Sequence, residues 1–134
     1  MRVISLLLVI GFSCSAARSD SLDAYRTSSA ASLAGHYAYK LSAPPSLLIR
    51  VEIEEPDDPR MSARAVRGED GHGCVLKIRQ FLLRRPDIIA HETCHCVNDY
   101  PLLTPHGYNR SVTFDEVARM ERAAKSCAEE LKWK

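Results

Sequence analysis

Alternating apolar and polar residues predict three β-strands in the first two thirds of the chain. These segments cover residues 46–54, 61–67 and 74–80. The intervening residues 55–59 and 68–73 contain the proline, aspartate and glycine residues that are typical of turns. Together the three segments predict an antiparallel meander, and its last strand leads directly into the most informative part of the chain.

Helical spacing of apolar residues predicts three helices around this sheet. One covers residues 19–34, a second begins at Pro86 and runs to about Asn98, and a third runs from about Thr113 to Trp133. Proline is well tolerated in a first helical turn, which supports the start of the second helix. The apolar stripe of the third helix consists of Val117, Met120, Ala124, Cys127 and Leu131. The sequence therefore predicts an α+β fold with an N-terminal helix, the three-stranded meander and two further helices.

The N-terminus has the pattern of a secretory signal peptide. Arg2 precedes an apolar run at residues 3–12, and small residues follow at 13–17. The apolar run is shorter than the about 20 residues that a membrane-spanning helix needs. We therefore expect cleavage after Ala16 or Ala17.

This interpretation divides the chain into a signal peptide, residues 1–17, and a single domain, residues 18–134. Lipid attachment at Cys14 and burial of the apolar run as an N-terminal helix or strand are the alternatives. An exported protein would be secreted or periplasmic, without stable membrane insertion once the signal is removed. The formal net charge of +1 gives no indication of nucleic-acid binding.

The cysteines fit an exported protein. After removal of the signal segment the chain keeps Cys74, Cys94, Cys96 and Cys127, which allows up to two disulfides in three possible pairings. Cys94 and Cys96 lie two positions apart on a predicted helix, so their side chains diverge. We interpret Cys96–Cys127 as a bond between two helices, with free buried thiols as the alternative. A redox role is disfavoured, because the Cys-x-Cys spacing differs from the Cys-x-x-Cys that lowers a thiol pKa.

Residues 91–95, with the sequence His-Glu-Thr-Cys-His, carry the clearest chemical signal. Positions i and i+4 of a helix share one face, so the imidazoles of His91 and His95 can reach one ion. Catalytic zinc takes three protein ligands and keeps a fourth position for water. Glu92 projects about 100° away from His91, where it can accept a proton from that water. The alternative is that both histidines are ordinary polar residues on a helix surface.

This helix resembles the active-site helix of the gluzincins, the thermolysin-like clan of zinc metallopeptidases. Members often continue the motif with Val-x-Asp-Tyr, and residues 97–100 of this chain read Val-Asn-Asp-Tyr. Their third zinc ligand is a glutamate on a second helix about 20 residues after the second histidine. Glu116 lies 21 positions after His95 and is the ligand that the resemblance implies. The overall size is similar to that of the minigluzincins.

The resemblance implies an exported zinc-dependent metallopeptidase with one Zn²⁺ per chain, held by His91, His95 and Glu116. It would hydrolyse peptide or protein substrates through a zinc-activated water, with Glu92 as the general base. The chain departs from full-size thermolysin-like enzymes, whose C-terminal domain supplies tyrosine and histidine groups that stabilise the oxyanion. There is no room for such a domain here, and this departure weakens the expectation of peptidase activity.

Several neighbouring residues have alternative roles. His106, followed by Gly107, resembles a histidine-glycine pair of SprT-like metallopeptidases and is the rival third ligand. Asp99 is better suited to orienting a ligand histidine. Tyr108 and His106 could donate to an oxyanion, with a plain surface loop as the alternative. An edge strand at residues 74–80 could hold an extended peptide by strand addition.

The competing class of function is a non-catalytic exported module that binds or inhibits a partner. In that case zinc or disulfides would only stabilise a small fold. A purely structural metal site does not require Glu92, so this residue separates the two classes. The sequence gives no indication of the oligomeric state.

Overall fold

The computed structural model of this protein describes residues 13–55 and 57–133. In chain order the elements are α1 (Ser13–Lys40), β1 (Ile49–Ile53), β2 (Ala63–Arg67), β3 (Cys74–Ile78), α2 (Pro86–Asn98), β4 (Leu103–Thr104), β5 (Gly107–Tyr108) and α3 (Phe114–Leu131). Short 3-10 turns at Gln80–Leu82 and Tyr100–Leu102 flank α2. This content of helices and strands confirms the predicted α+β class.

Helix α1 is longer than the predicted helix over residues 19–34. It continues through the exposed Gly35 to Lys40 because small side chains at four-residue spacing face the core. These buried residues are Ala30, Ala34 and Ala38. The glycine therefore does not end the helix, since packing on either side of it outweighs its low helix propensity.

The predicted signal peptide covers the start of the chain. Its residues 1–12 lie outside the described residues, and its last residues, 13–17, belong to α1. Across residues 13–55 and 57–133, every helix is either too short or too polar to cross a membrane.

The predicted antiparallel meander is wrong. The strand order is β1-β3-β2, in which β1 pairs with β3 in parallel and β2 pairs with β3 in the antiparallel direction. The physical reason is the composition of β3, because Cys74, Val75, Leu76 and Ile78 are all buried. A strand that is apolar on both faces gains most at the centre of a sheet. The more polar β1 and β2 therefore occupy the edges.

Helix α2 lies at the centre of the molecule, between the sheet and α3. On one side the larger core joins α1, the sheet and α2, with Leu76, Ile78 and Ile89 among its fully buried side chains. On the other side a smaller cluster joins α2 to α3. Its buried members are Ala90, Cys94, Ala124, Ala128 and Leu131. The helix that carries the His-Glu-x-x-His motif is thus fixed from both sides.

Two disulfides reinforce this arrangement. Cys74 bonds Cys96, and Cys94 bonds Cys127. The predicted Cys96–Cys127 pair is wrong because Cys96 packs in the core with the sheet, whereas Cys94 packs in the cluster shared with α3. Two disulfides indicate an oxidising compartment, since reducing compartments keep thiols free.

Candidate metal centre

Helix α2 presents the two motif histidines to one point, as predicted. Pro86 occupies its first turn and Asp87 lies near its positive end, both of which favour a helix starting there. One turn separates His91 from His95, and their Nε2 atoms are 3.1 Å apart. The His95 side chain is 4% exposed and that of His91 is 25% exposed, so the pair lies at the boundary between core and solvent.

The third member of the cluster is Glu121 of α3. Its Oε2 lies 3.0 Å from His91 Nε2, and its Oε1 lies 3.1 Å from His95 Nε2. One ligand atom from each of these three residues lies within 4.8 Å of the others. His91, His95 and Glu121 therefore form a group that could hold a metal ion.

Glu116, the glutamate that the family spacing implies, is not brought to the histidines. Its carboxylate accepts a hydrogen bond from the Thr113 backbone N–H at 2.9 Å, while its own N–H donates to the Thr113 hydroxyl. This reciprocal capping box starts α3. Because the glutamate is held at the N-terminus of α3, the candidate third ligand changes from Glu116 to Glu121, which lies further along the helix. The Thr-x-x-Glu pattern was the available sequence signal for this capping role.

Asp99 and Tyr108 support His95 from the side opposite the cluster. Asp99 Oδ2 lies 2.7 Å from His95 Nδ1, and the Tyr108 hydroxyl lies 2.8 Å from both of these atoms. Burial, together with the neighbouring Asp99 carboxylate, raises the pKa of Tyr108, so its hydroxyl keeps its proton and donates to Asp99. This arrangement leaves His95 Nε2 free to face the cluster, which is the role expected of a carboxylate that orients a ligand histidine.

The charges within the cluster are strongly coupled. Burial alone would lower the pKa of His95, but hydrogen bonds to Asp99 and Glu121 outweigh it and raise the pKa to about 9. Contacts with His91 and then His95 hold the pKa of Glu121 well below its usual range. The metal-free cluster therefore holds a protonated His95 against an ionised Glu121 at neutral pH.

Glu92 lies beside the histidines with its side chain buried. It is 7% exposed, and burial raises the pKa of its carboxyl above the ordinary value, while the nearby His95 and His91 oppose this rise. The backbone of Ala65, in strand β2, faces this carboxylate and also opposes the rise in its pKa. Glu92 is thus held against both the histidine pair and the edge of the sheet.

These groups line one cleft of about 580 Å³. Its walls come from α2, α3, β5 and the start of β2, and they include His91, Glu92, His95, Tyr108 and Glu121. Residues 62–65 form the β2 wall, whereas Lys125, Ala128 and Glu129 extend the α3 wall. The cluster is therefore accessible to a molecule in the cleft.

The edge strand beside the cleft is β2, which corrects the expectation that residues 74–80 form an edge. The Ser62 carbonyl accepts a hydrogen bond from the Arg79 N–H, in the direction of β3. Ser62 is therefore in a hydrogen-bonded pair with its partner on β3. Because hydrogen-bonded and non-hydrogen-bonded pairs alternate along antiparallel strands, Ala63 and Ala65 are in non-hydrogen-bonded pairs, and their N–H and C=O groups point away from β3. These outward groups belong to the part of β2 that lines the cleft.

Of the two predicted oxyanion donors, His106 lies away from the cluster and Tyr108 contacts His95 from the side of Asp99. His106 is exposed at the tip of the β4–β5 hairpin, where its carbonyl accepts a hydrogen bond from Arg64. It does not belong to the group of His91, His95 and Glu121 that could hold a metal ion. The Tyr108 hydroxyl faces Asp99 on the Nδ1 side of His95. In this geometry Tyr108 supports a histidine and is not aimed at the space where an oxyanion would form.

Comparison with known proteins adds no functional assignment. No family model matches the chain, and no curated protein or solved structure matches it either. The resemblance to gluzincins therefore depends on the motif residues of the sequence alone.

Proposed function

We propose that this protein is an exported zinc-dependent metallopeptidase of the gluzincin type, with His91, His95 and Glu121 as zinc ligands. The observation that carries the proposal is the convergence of these three ligand atoms within 4.8 Å in an open cleft, beside the buried carboxylate of Glu92. A structural metal site needs neither the open cleft nor the adjacent carboxylate.

The donor set fits zinc. Two imidazole nitrogens and one carboxylate oxygen are ligands that zinc accepts readily, and three protein ligands with one open position are typical of catalytic zinc. Asp99 supplies the outer hydrogen bond that ligand histidines usually make. When bound at such a site, zinc lowers the pKa of a coordinated water toward about 7 and polarises carbonyl groups.

Glu92 is the residue suited to general acid–base catalysis. Its burial brings the carboxyl pKa closer to neutrality, so the group can accept a proton from the attacking water and later return it to the leaving amine. The Glu92 carboxylate lies in the cleft beside the Ala65 backbone, where a catalytic base has to reach its proton.

Strand β2 is suited to binding the substrate. Its outward N–H and C=O groups at Ala63, next to the Ala65 backbone that faces Glu92, can pair with an extended peptide, which would add a strand to the sheet. Such pairing would lay the peptide backbone along the cleft, across Glu92 and the metal ligands. Main-chain pairing of this kind favours peptide substrates in an extended conformation.

One observation favours the alternative of a non-catalytic exported module. Among the described residues of the cleft, the Tyr108 hydroxyl is already bonded to Asp99, so no tyrosine is free to stabilise an oxyanion. A domain of this kind would use the cleft to bind a partner and the metal to stabilise the fold. The two candidates differ in whether Glu92 has a catalytic role.

The test compares wild type with Glu92→Gln in hydrolysis of a mixed peptide library. Gln is nearly isosteric with Glu and cannot accept the proton, so we expect equal zinc content but a loss of rate of about 10²- to 10⁴-fold. Glu129→Gln is the matched control, because Glu129 also lines the cleft but lies away from the cluster. A zinc-loaded wild type that cleaves nothing would reject the peptidase in favour of the non-catalytic module. A Glu92→Gln variant as active as wild type would reject Glu92 as the general base.

A further inference from the structure

The third candidate ligand is carried by a helix with few anchors. Among the elements of the described chain, α3 packs mainly on α2. Most of the buried side chains at this contact are small, namely Ala90, Cys94, Ala124 and Ala128. The larger apolar groups are the buried Leu131 and the partly buried Tyr37 and Leu41. Small side chains bury little apolar area, so this interface alone holds the position of α3 only weakly.

Glu121 depends on this interface for its place in the cluster. Its side chain is 52% exposed, and among the described residues its carboxylate makes close polar contacts with His91 and His95 alone. Both histidines belong to α2. The distance between the glutamate and the histidines is therefore set by the way α3 sits on α2.

One covalent bond joins these two helices. Cys94 precedes His95 directly in α2, and Cys127 lies six positions after Glu121 in α3. The second disulfide, Cys74–Cys96, ties α2 to β3 and does not touch α3. Metal sites need their ligands held to within about 0.5 Å, a tolerance that a loosely packed helix does not provide.

We propose that Cys94–Cys127 is a positioning pair for the metal centre, which holds Glu121 against the two histidines. This inference rests on the proposed function in one respect, which is that zinc binds at His91, His95 and Glu121; it does not require peptidase activity. Cys94–Cys127 contributes no ligand and acts through Glu121, whereas Cys74–Cys96 stabilises the fold around the sheet.

The first test measures zinc affinity of the Cys94→Ala/Cys127→Ala variant by competition with a chromophoric chelator. We expect a loss of about 10- to 100-fold, the size typical for groups that orient a ligand. The same change in a Glu121→Gln background should cost no further affinity, because a positioning pair loses its effect when its ligand is gone. A further loss in that background, or unchanged affinity in the first variant, would overturn the proposal.

Two matched variants separate positioning from general stability. Cys74→Ala/Cys96→Ala removes a disulfide of the same helix, and Leu131→Ala removes a buried anchor of α3 while Cys94–Cys127 stays intact. Both should lower the thermal midpoint and leave zinc affinity unchanged. If Leu131→Ala weakens zinc binding tenfold or more, the apolar contact positions Glu121 and the proposal fails. This outcome can be measured even if the Cys94→Ala/Cys127→Ala variant does not fold.

The outcomes also separate this proposal from the peptidase. A wild type that binds zinc with the expected dependence on the disulfide, yet cleaves no peptide, would reject the peptidase and leave the positioning pair intact. A wild type that binds no zinc would reject both.

Discussion

At the scale of single residues, His95 is the most constrained group of the site. It is buried, and its two ring nitrogens face different partners, with Asp99 on one side and the cluster on the other. Tyr108 adds a second hydrogen bond to the same Asp99 oxygen. The orientation of this candidate ligand thus depends on two other side chains, Asp99 and Tyr108, and Tyr108 comes from the β4–β5 hairpin.

Replacing Tyr108 with Phe should weaken zinc binding while the fold is retained. The change removes the hydroxyl that bonds Asp99, and losing such an outer partner typically costs about 10- to 100-fold in metal affinity. Tyr100→Phe is the control, because among residues 13–55 and 57–133 the polar contact of the Tyr100 hydroxyl is a long one, 3.5 Å from the Gly71 carbonyl. Chelator competition measures both variants, and equal affinities for the two would contradict the role given to Tyr108.

The raised pKa of His95 predicts that zinc affinity depends on pH. A metal ligand must be the neutral imidazole, and the metal-free His95 has a pKa of about 9, so zinc has to displace its proton at neutral pH. Apparent affinity should rise by about tenfold per pH unit and level off near pH 9, as expected for one released proton. Asp99→Asn removes a carboxylate that raises this pKa, so the plateau should begin at lower pH. A wild-type affinity that stays flat between pH 7 and pH 9 would show that His95 is already neutral.

At the scale of elements, β2 has the clearest functional prediction. Proline at Ala63 would remove an N–H that faces the cleft, and strand ends tolerate proline when the N–H points away from the neighbouring strand. We expect Ala63→Pro to raise KM for peptide hydrolysis with little change in zinc affinity. Proline at Arg64, whose backbone bonds β3, should instead destabilise the fold. Steady-state kinetics of Ala63→Pro with an unchanged KM would exclude β2 as the peptide-binding edge.

Local patterns were sufficient to predict the motif helix but not its partners. The start at Pro86 and the i, i+4 spacing of His91 and His95 depend on residues close in sequence, and both agree with the structure. The third ligand depends on where α3 begins and how it crosses α2. The Thr113 cap fixes that start, and it places Glu116 in the first turn and Glu121 at the histidines.

Strand order and disulfide pairing were missed for the same reason. Each is a contact between distant segments, and alternation within a strand does not specify its neighbour. The continuous burial of β3 was the one available signal, because a strand without a polar face belongs in the middle of a sheet. For the cysteines, the predicted divergence of the Cys94 and Cys96 side chains agrees with the structure. Divergent side chains bond partners on opposite sides of α2, and here Cys96 bonds the sheet and Cys94 bonds α3.

At the scale of the whole molecule, α2 is held from both sides. Cys74–Cys96 ties it to the sheet, and Cys94–Cys127 ties it to α3, so covalent bonds flank His95 on each side in sequence. A small fold with a limited core gains considerably from such bonds. The result is a doubly bonded central helix that carries two candidate ligands and the proposed base, while α3 carries the third candidate ligand.

A zinc titration tests the three candidate ligands most directly, and it compares wild type with Glu121→Gln, Glu116→Gln and the double variant His91→Ala/His95→Ala. Wild type should bind close to one zinc per chain, and the double variant should bind none. Glu121→Gln should lose at least about tenfold in zinc affinity. This is the smallest loss typical for a group that only hydrogen-bonds a metal ligand, and a direct ligand should cost no less. Glu116→Gln should bind zinc like wild type, because glutamine preserves the capping box. A wild type without zinc, or a larger loss for Glu116→Gln than for Glu121→Gln, would contradict the site described here.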